Sequence, residues 1–230
     1  MLIDVFKFDS SKTMPIIKLR EVKDKTHKQV MTEGLRFYCN SCRLCKIGCE
    51  EFEQNGETLD PHVFSNMNYD SKYMVVGQNP GFNECKLGTP FIGAAGKNFD
   101  QELKNNGISR ELLYITNIVK CRTPGNSKPD TTNKENCKLI LEVEMVIIKP
   151  KLIITLGEFA FSYFCPELIY SENLGKISKC KYGKVFAIYH PSPLNINDPE
   201  RRKVFNRQIE LLCKLIKKIE ETTQPICSTD

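Results

Sequence analysis

Four short apolar segments, YMVVG (73–77), LLYITNIV (112–119), LIITLG (152–157) and VFAIYH (185–190), constrain this 230-residue chain more than any other feature. Each is β-branched or aromatic-rich and has the length of a buried strand. Helical patterns lie between them. Segment 96–106 ends at Asn106-Gly107, a C-cap signal, and 131–148 is long and followed by Pro150, which cannot continue a helix. EFAFSYF (158–164) reads as a short buried helix. The last helix has Asp198 as N-cap, Pro199 at its first position, and Phe205, Ile209, Leu212, Ile216 and Ile219 on one stripe. This alternation predicts a three-layer α/β fold, with a central four-stranded, mostly parallel sheet flanked by helices.

The length suits one domain with extensions. The division expected is an N-terminal extension (1–36), one domain (37–221) and a C-terminal tail (222–230). No apolar run matches a membrane span, since VIIKPKLIITL is cut by Lys149, Pro150 and Lys151. A soluble monomer is expected. Asp4, Asp9, Glu21 and Asp24 argue against an organellar transit peptide. Eleven cysteines, an odd number with no secretory leader ahead of them, point to a reducing intracellular compartment, cytoplasm or nucleus, and to metal ligation by some thiols. A net charge of +5 is a mild excess that fits a polyanionic partner.

In parallel sheets the functional site lies beyond the carboxyl ends of the strands. There the chain places GQNPG (77–81), Asn117 followed by KCRTPGN, Gly157, and HPSPLN (190–195). GQNPG sets a polar pair between residues that let the backbone approach a ligand. His190, fixed by two prolines, can stabilise an anion or move a proton. In ECKLGTPFIGAAG, Phe91 lies among Gly88, Gly93 and Gly96. It reads either as core or as an aromatic platform for a planar base.

Cys39, Cys42, Cys45 and Cys49 fall within eleven positions. Their spacing resembles a ferredoxin run in which Glu50 replaces the proline, and a local zinc site is the other reading.

GQNPG, GTPFIGAAG, YITNIVKCRTPGN and HPSPL, in this order and beside C-x2-C, resemble the uracil-DNA glycosylase superfamily, and within it the iron–sulfur family numbered four. The similarity covers roughly residues 36–220. It implies a monofunctional enzyme that flips uracil out of DNA and hydrolyses the glycosidic bond, opening base excision repair. It implies that Phe91 stacks on the base, that Asn117 reads its edge with Gln78 beside it, and that Glu84 crowds the place of a thymine methyl. His190 would hydrogen-bond uracil O2, and Leu194 would fill the gap left in the base stack. Lys120, Arg122, Arg201 and Arg202 are candidate phosphate contacts. The family's ligand pattern joins one C-x2-C pair to two cysteines separated by fifteen residues after the second strand, which implies a 4Fe-4S cluster on Cys39, Cys42, Cys121 and Cys137. Cys45 and Cys49 are then spare, and Cys165, Cys180, Cys213 and Cys227 read as ordinary thiols.

Three positions depart from that family. Its first loop usually reads GE[AG]PG, whereas GQNPG shares Gln78 with the GQDPYH loop of the prototype uracil enzymes and Asn79 with the GINPG loop of the mismatch-specific ones. Asn79 is expected to orient the attacking water, because an amide can hold water but is a poor base. HPSPLN also follows the prototype enzymes, and Cys85 stands where an aspartate is common. A wider range of deaminated or mismatched bases, such as hypoxanthine, and a DNA-binding or polymerase-associated module without catalysis are the competing readings.

Overall fold

The structure, a computed structural model, describes residues 25–222. Residues 1–24 and 223–230, with Cys227, lie outside the described part. In chain order the elements are α1 (Lys25–Asn40), β1 (Phe52–Gln54), β2 (Glu57–Leu59), β3 (Tyr73–Gly77), α2 (Phe82–Leu87), α3 (Ala94–Asn105), β4 (Leu113–Asn117), α4 (Thr131–Ile148), β5 (Leu152–Leu156), α5 (Glu158–Phe164), α6 (Tyr170–Asn173), β6 (Ile177–Cys180), β7 (Gly183–Ile188), α7 (Pro193–Ile196) and α8 (Pro199–Glu221).

The main sheet has the order β4-β3-β5-β7-β6. Pairing is parallel from β4 through β7, and β6 pairs antiparallel with β7. The sheet therefore has five strands rather than four. ISKC, the short alternating segment that forms β6, lacks the apolar run that marks the other strands. A separate hairpin, β1 with β2, turns at Asn55-Gly56, both at positive φ (54° and 75°). That dipeptide suits the primed turns that match strand twist.

Strands β3, β4 and β5 are buried along their whole length, as parallel strands covered on both faces must be. One apolar layer gathers α1, α4 and α5 residues against the sheet, including Leu35, Ile140, Leu141 and Phe161. The opposite layer joins α3 and α8 through Phe99, Leu103, Phe205, Ile209, Leu212 and Ile216. Asp198 caps α8 by accepting from the Arg201 N–H, as its sequence implies. The boundary expected between residues 36 and 37 falls inside α1, whose Met31 and Leu35 are buried.

From β3 the chain steps outward to β4, then returns to place β5 on the other side of β3. The carboxyl ends of β3 and β5 thus flank a topological switch point, where open α/β sheets hold ligands.

One polar group interrupts the layer between β4 and α4. Lys120 and Glu144 are each 1% exposed and form an ion pair. The Lys120 ammonium also donates to the Thr116 hydroxyl at 2.5 Å and the Asn117 carbonyl at 2.8 Å. Glu144 accepts from Tyr114 and Thr116, both at 2.8 Å. Removing one partner of a buried pair strands the other charge, whereas removing both can be nearly neutral. Lys120→Met should lower unfolding stability by about 3–5 kcal/mol, and Lys120→Met with Glu144→Leu should recover most of it, as denaturant titration would measure.

Candidate active site

Gln78, Asn79, Glu84, Phe91, Asn117 and His190 all line one cavity of about 720 Å³ at the switch point. Two glycines allow this convergence. A Cβ on Gly77 would lie 2.3 Å from the Phe91 ring and 2.6 Å from the Asn117 side-chain oxygen, so the bare backbone lets both groups close over the end of β3. A Cβ on Gly96 would meet the Phe91 carbonyl oxygen at 1.9 Å.

Phe91 itself has φ 53°, a left-handed conformation that bulky residues rarely adopt. Such strain, of order 1–3 kcal/mol, persists where surrounding structure enforces it and clusters at functional sites. The ring belongs to the apolar layer of α3 and α8 and also faces the cavity.

Asn117 ends β4, and its side-chain oxygen is buried with no hydrogen-bond partner. A buried acceptor left unpaired costs about 1–3 kcal/mol, so a ligand N–H reaching it would recover that cost. Asn79 is held on both sides. Its oxygen accepts from the Gln78 amide at 3.0 Å, and its amide nitrogen donates to the Thr123 hydroxyl at 3.1 Å and the Pro80 carbonyl at 3.2 Å. One lone pair on that oxygen stays available for water.

One Glu84 oxygen accepts from the Gly93 and Ile92 N–H groups at 2.8 and 3.2 Å, where α3 begins. The carboxylate therefore organises the Phe91 loop as well as facing the cavity. His190 follows β7; its ring centroid is 6.2 Å from that of Phe91. The Pro191 carbonyl accepts from Asn98 at 2.9 Å and the His190 carbonyl from Asn195 at 2.8 Å, which fixes the loop from two helices. Burial holds the His190 pKa below its ordinary 6.5, with the Glu84 charge pulling it upward. The imidazole is accordingly neutral at pH 7 and can donate a hydrogen bond without carrying charge.

Leu194, on α7, is 78% exposed, an apolar side chain standing in solvent. Arg201 and Arg202 are exposed beside it, bonded to Asn195 and to the Ile196 carbonyl. Lys120 and Arg122 correct the expectation of phosphate contacts. Lys120 is sealed in its ion pair, and Arg122, 8% exposed, donates to the Thr123 carbonyl and Gln54 and lies over Phe52. Cavity lysines that sequence reasoning missed are Lys128, exposed in the loop before α4, and Lys134, half-buried in the first turns of α4; in the sequence both look like ordinary solvated surface.

Cys39, Cys42, Cys121 and Cys137 are buried at the far side of the Lys120 turn. Burial raises the Cys121 thiol pKa, and the neighbouring Cys137, Cys39, Cys45 and Cys42 raise it further, so these sulfurs share one locale. Burial likewise raises Cys137, to about 11, against the Lys120 N–H, which donates to its sulfur at 3.4 Å. A Cβ on Gly48 would approach the Cys121 sulfur and the Cys42 carbonyl at 3.3 Å each, so that glycine keeps the locale open. Among the described residues no three His, Cys, Asp or Glu side chains stand in a closed metal-holding arrangement. The donor chemistry, four buried thiols on two segments, nonetheless fits an iron–sulfur cluster. Cys45 is buried in the same locale, whereas Cys49 is exposed.

The switch-point cavity thus brings together an unpaired amide acceptor, a strained aromatic and a buried histidine. The chain belongs to the uracil DNA glycosylase superfamily, whose family model matches residues 64–213. Within it, the chain is similar to the type-4 uracil-DNA glycosylases of Sulfurisphaera tokodaii (34% identical, covering 76% of this chain and 80% of that one), Archaeoglobus fulgidus (33%; 79% and 92%) and Thermotoga maritima (36%; 66% and 81%).

His190 should titrate below pH 6.5 by NMR, and Glu84→Gln should lower its midpoint further, because a negative neighbour favours the imidazolium. An unchanged midpoint in the variant would show that Glu84 does not act on the ring.

Proposed function

We propose that this chain is a monofunctional glycosylase that excises uracil from DNA by flipping the base and hydrolysing its glycosidic bond, the first step of base excision repair. The observation that carries this reading is the buried, unpartnered oxygen of Asn117 inside the cavity. Uracil offers N3–H to that oxygen and O4 to the amide nitrogen, while cytosine presents the opposite pattern at both atoms. A buried mismatch of this kind discriminates strongly.

In this reading Phe91 stacks on the flipped ring, and Gln78 and Glu84 border it. Glu84, anchored to the start of α3, stands against a thymine methyl. Cleavage of C1′–N1 builds positive charge on the sugar and negative charge on the leaving base. A neutral His190 donating to O2 is stronger in that transition state than in the ground state. Asn79, braced by Gln78 and Thr123, orients the water that attacks C1′. Leu194 occupies the vacated stack and offsets part of the cost of extrusion. Neither a wider base range nor a binding-only module gains support from the site or from the relatives.

The proposal includes a 4Fe-4S cluster on Cys39, Cys42, Cys121 and Cys137. When bound, it supplies a structural tie between the end of α1 and the segment from Cys121 to α4. These ligands, together with a DNA substrate, fit a reducing intracellular compartment and a monomer. No helix among the described residues is long and apolar enough to cross a membrane. The glycosylase domain is proposed to include α1, whose Met31 and Leu35 are buried.

Oligonucleotides carrying uracil, thymine opposite guanine, or hypoxanthine, cleaved by alkali after incubation, test the activity. Abasic sites are expected from uracil alone, and none from any uracil substrate with the cluster present would refute the reading. In single turnover, Asn79→Ala and His190→Ala should each slow excision by roughly 10²–10³-fold. Gly77→Ala, which forces a methyl against Phe91 and Asn117, should cost about 10²-fold through misplacement. Cys137→Ser should lose iron and visible absorption; a variant that keeps both would remove Cys137 from the ligand set.

A further inference from the structure

The cavity is larger than one base needs. At about 720 Å³ it lies in the range that encloses drug-sized ligands, so a single pyrimidine between Phe91 and Asn117 fills only one end. The remainder is lined by Lys128, Lys134, Phe159, Ser162 and Tyr163, from the loop before α4, from α4 itself and from α5.

The two lysines there are unusual in their partners. Each ammonium lies over the same ring, Phe159, at 5.8 Å from its centroid. A ring face attracts a cation, which holds both side chains at the cavity although like charges repel. Among the described residues neither forms an ion pair, even though Glu135 and Glu158 line the same cavity. Glu135 instead pairs with Lys138 at 3.9 Å, and Glu158 is exposed. The N–H donors of both ammoniums therefore remain available to an anion in the cavity. The first turn of α4 does not compete for it, because Asp130 and Asn133 close a capping box there.

We propose that Lys128 and Lys134, held over Phe159, form a second subsite that takes a phosphodiester of the uracil-bearing strand beside the flipped nucleotide. This rests on the glycosylase reading, which supplies a polyanionic strand whose extruded base occupies the other end of the same cavity. Phe159 acts as the scaffold: it touches the lysines, and they touch the phosphate. The subsite reads no sequence, as backbone contacts do not, and its contribution falls with salt.

The test uses the full-length protein with its cluster and single-stranded oligonucleotides in which each phosphate flanking the uracil is replaced in turn by a neutral methylphosphonate. In the wild type, one position should raise KM roughly tenfold with kcat within about twofold, since uniform binding is what is lost. Lys128→Gln with Lys134→Gln should show that raised KM on unmodified strand and change less than about twofold further at that position. Inhibition by free uracil should stay within about twofold in the same variant, which reports an intact base pocket. The salt dependence of strand binding, read by fluorescence anisotropy without catalysis, should lose a slope of about 0.7 for the one phosphate released. A wild type indifferent to every methylphosphonate, or a double variant with unchanged KM and salt slope, would overturn the subsite. A wild type that binds strand with the expected slope change but forms no abasic site would instead overturn the glycosylase reading and leave the anion contact standing.

Discussion

The buried pair of Lys120 and Glu144 is the interaction on which the functional end of the molecule depends. It ties the turn after β4 to the inward face of α4, and its ammonium also clasps the Thr116 hydroxyl and the Asn117 carbonyl. Asn117 can present its amide to the cavity only if that backbone stays put. On the other side of the same turn the Lys120 N–H reaches the Cys137 sulfur, and Cys121 follows directly. A single ion pair therefore stands between the cavity and the thiol locale. Two charges in so apolar a layer are tolerated because Tyr114, Thr116 and the Asn117 carbonyl supply the remaining hydrogen bonds.

Around that anchor the cavity is built from close approaches that ordinary side chains would block. Gly77 admits the Phe91 ring and the Asn117 oxygen to one spot, and Gly96 admits the Phe91 backbone in a left-handed conformation. Glu84 holds the loop from the other side through two backbone N–H groups. Strain at Phe91 is thus over-determined by its neighbours, which holds the ring in one place at the cavity. His190, its pKa lowered by burial and its loop fixed by Asn98 and Asn195, completes the ring of groups around the cavity.

Where sequence reasoning strayed, it lacked partners rather than patterns. Lys120 and Arg122 look like phosphate contacts in a list of basic residues, but they are consumed by Glu144 and Gln54, drawn from distant segments, and by the nearby Asn117 and Thr123 carbonyls. Lys128 and Lys134 look like solvated surface until α5 brings Phe159 beneath both. The strand β6 has too few apolar residues to announce itself, and it exists because β7 offers an edge. The hairpin of β1 and β2 did carry a local signal, Asn55-Gly56, flanked by strands too short for periodicity to register.

The sequence by itself determined the alternation of strands and helices, the cap of α8 and the stop after α4, and the edge of the sheet on which the polar loops emerge. These are local properties, set by side-chain periodicity and backbone allowance within a few residues. It also carried the motif order through which Asn79, Phe91, Asn117 and His190 could be named together. Only the tertiary structure decided that β3 and β5 part around a cavity, that the Asn117 oxygen is left without a partner, and which basic residues face the cavity. Those facts depend on contacts between segments tens of residues apart, and burial and pairing arise only when the chain closes.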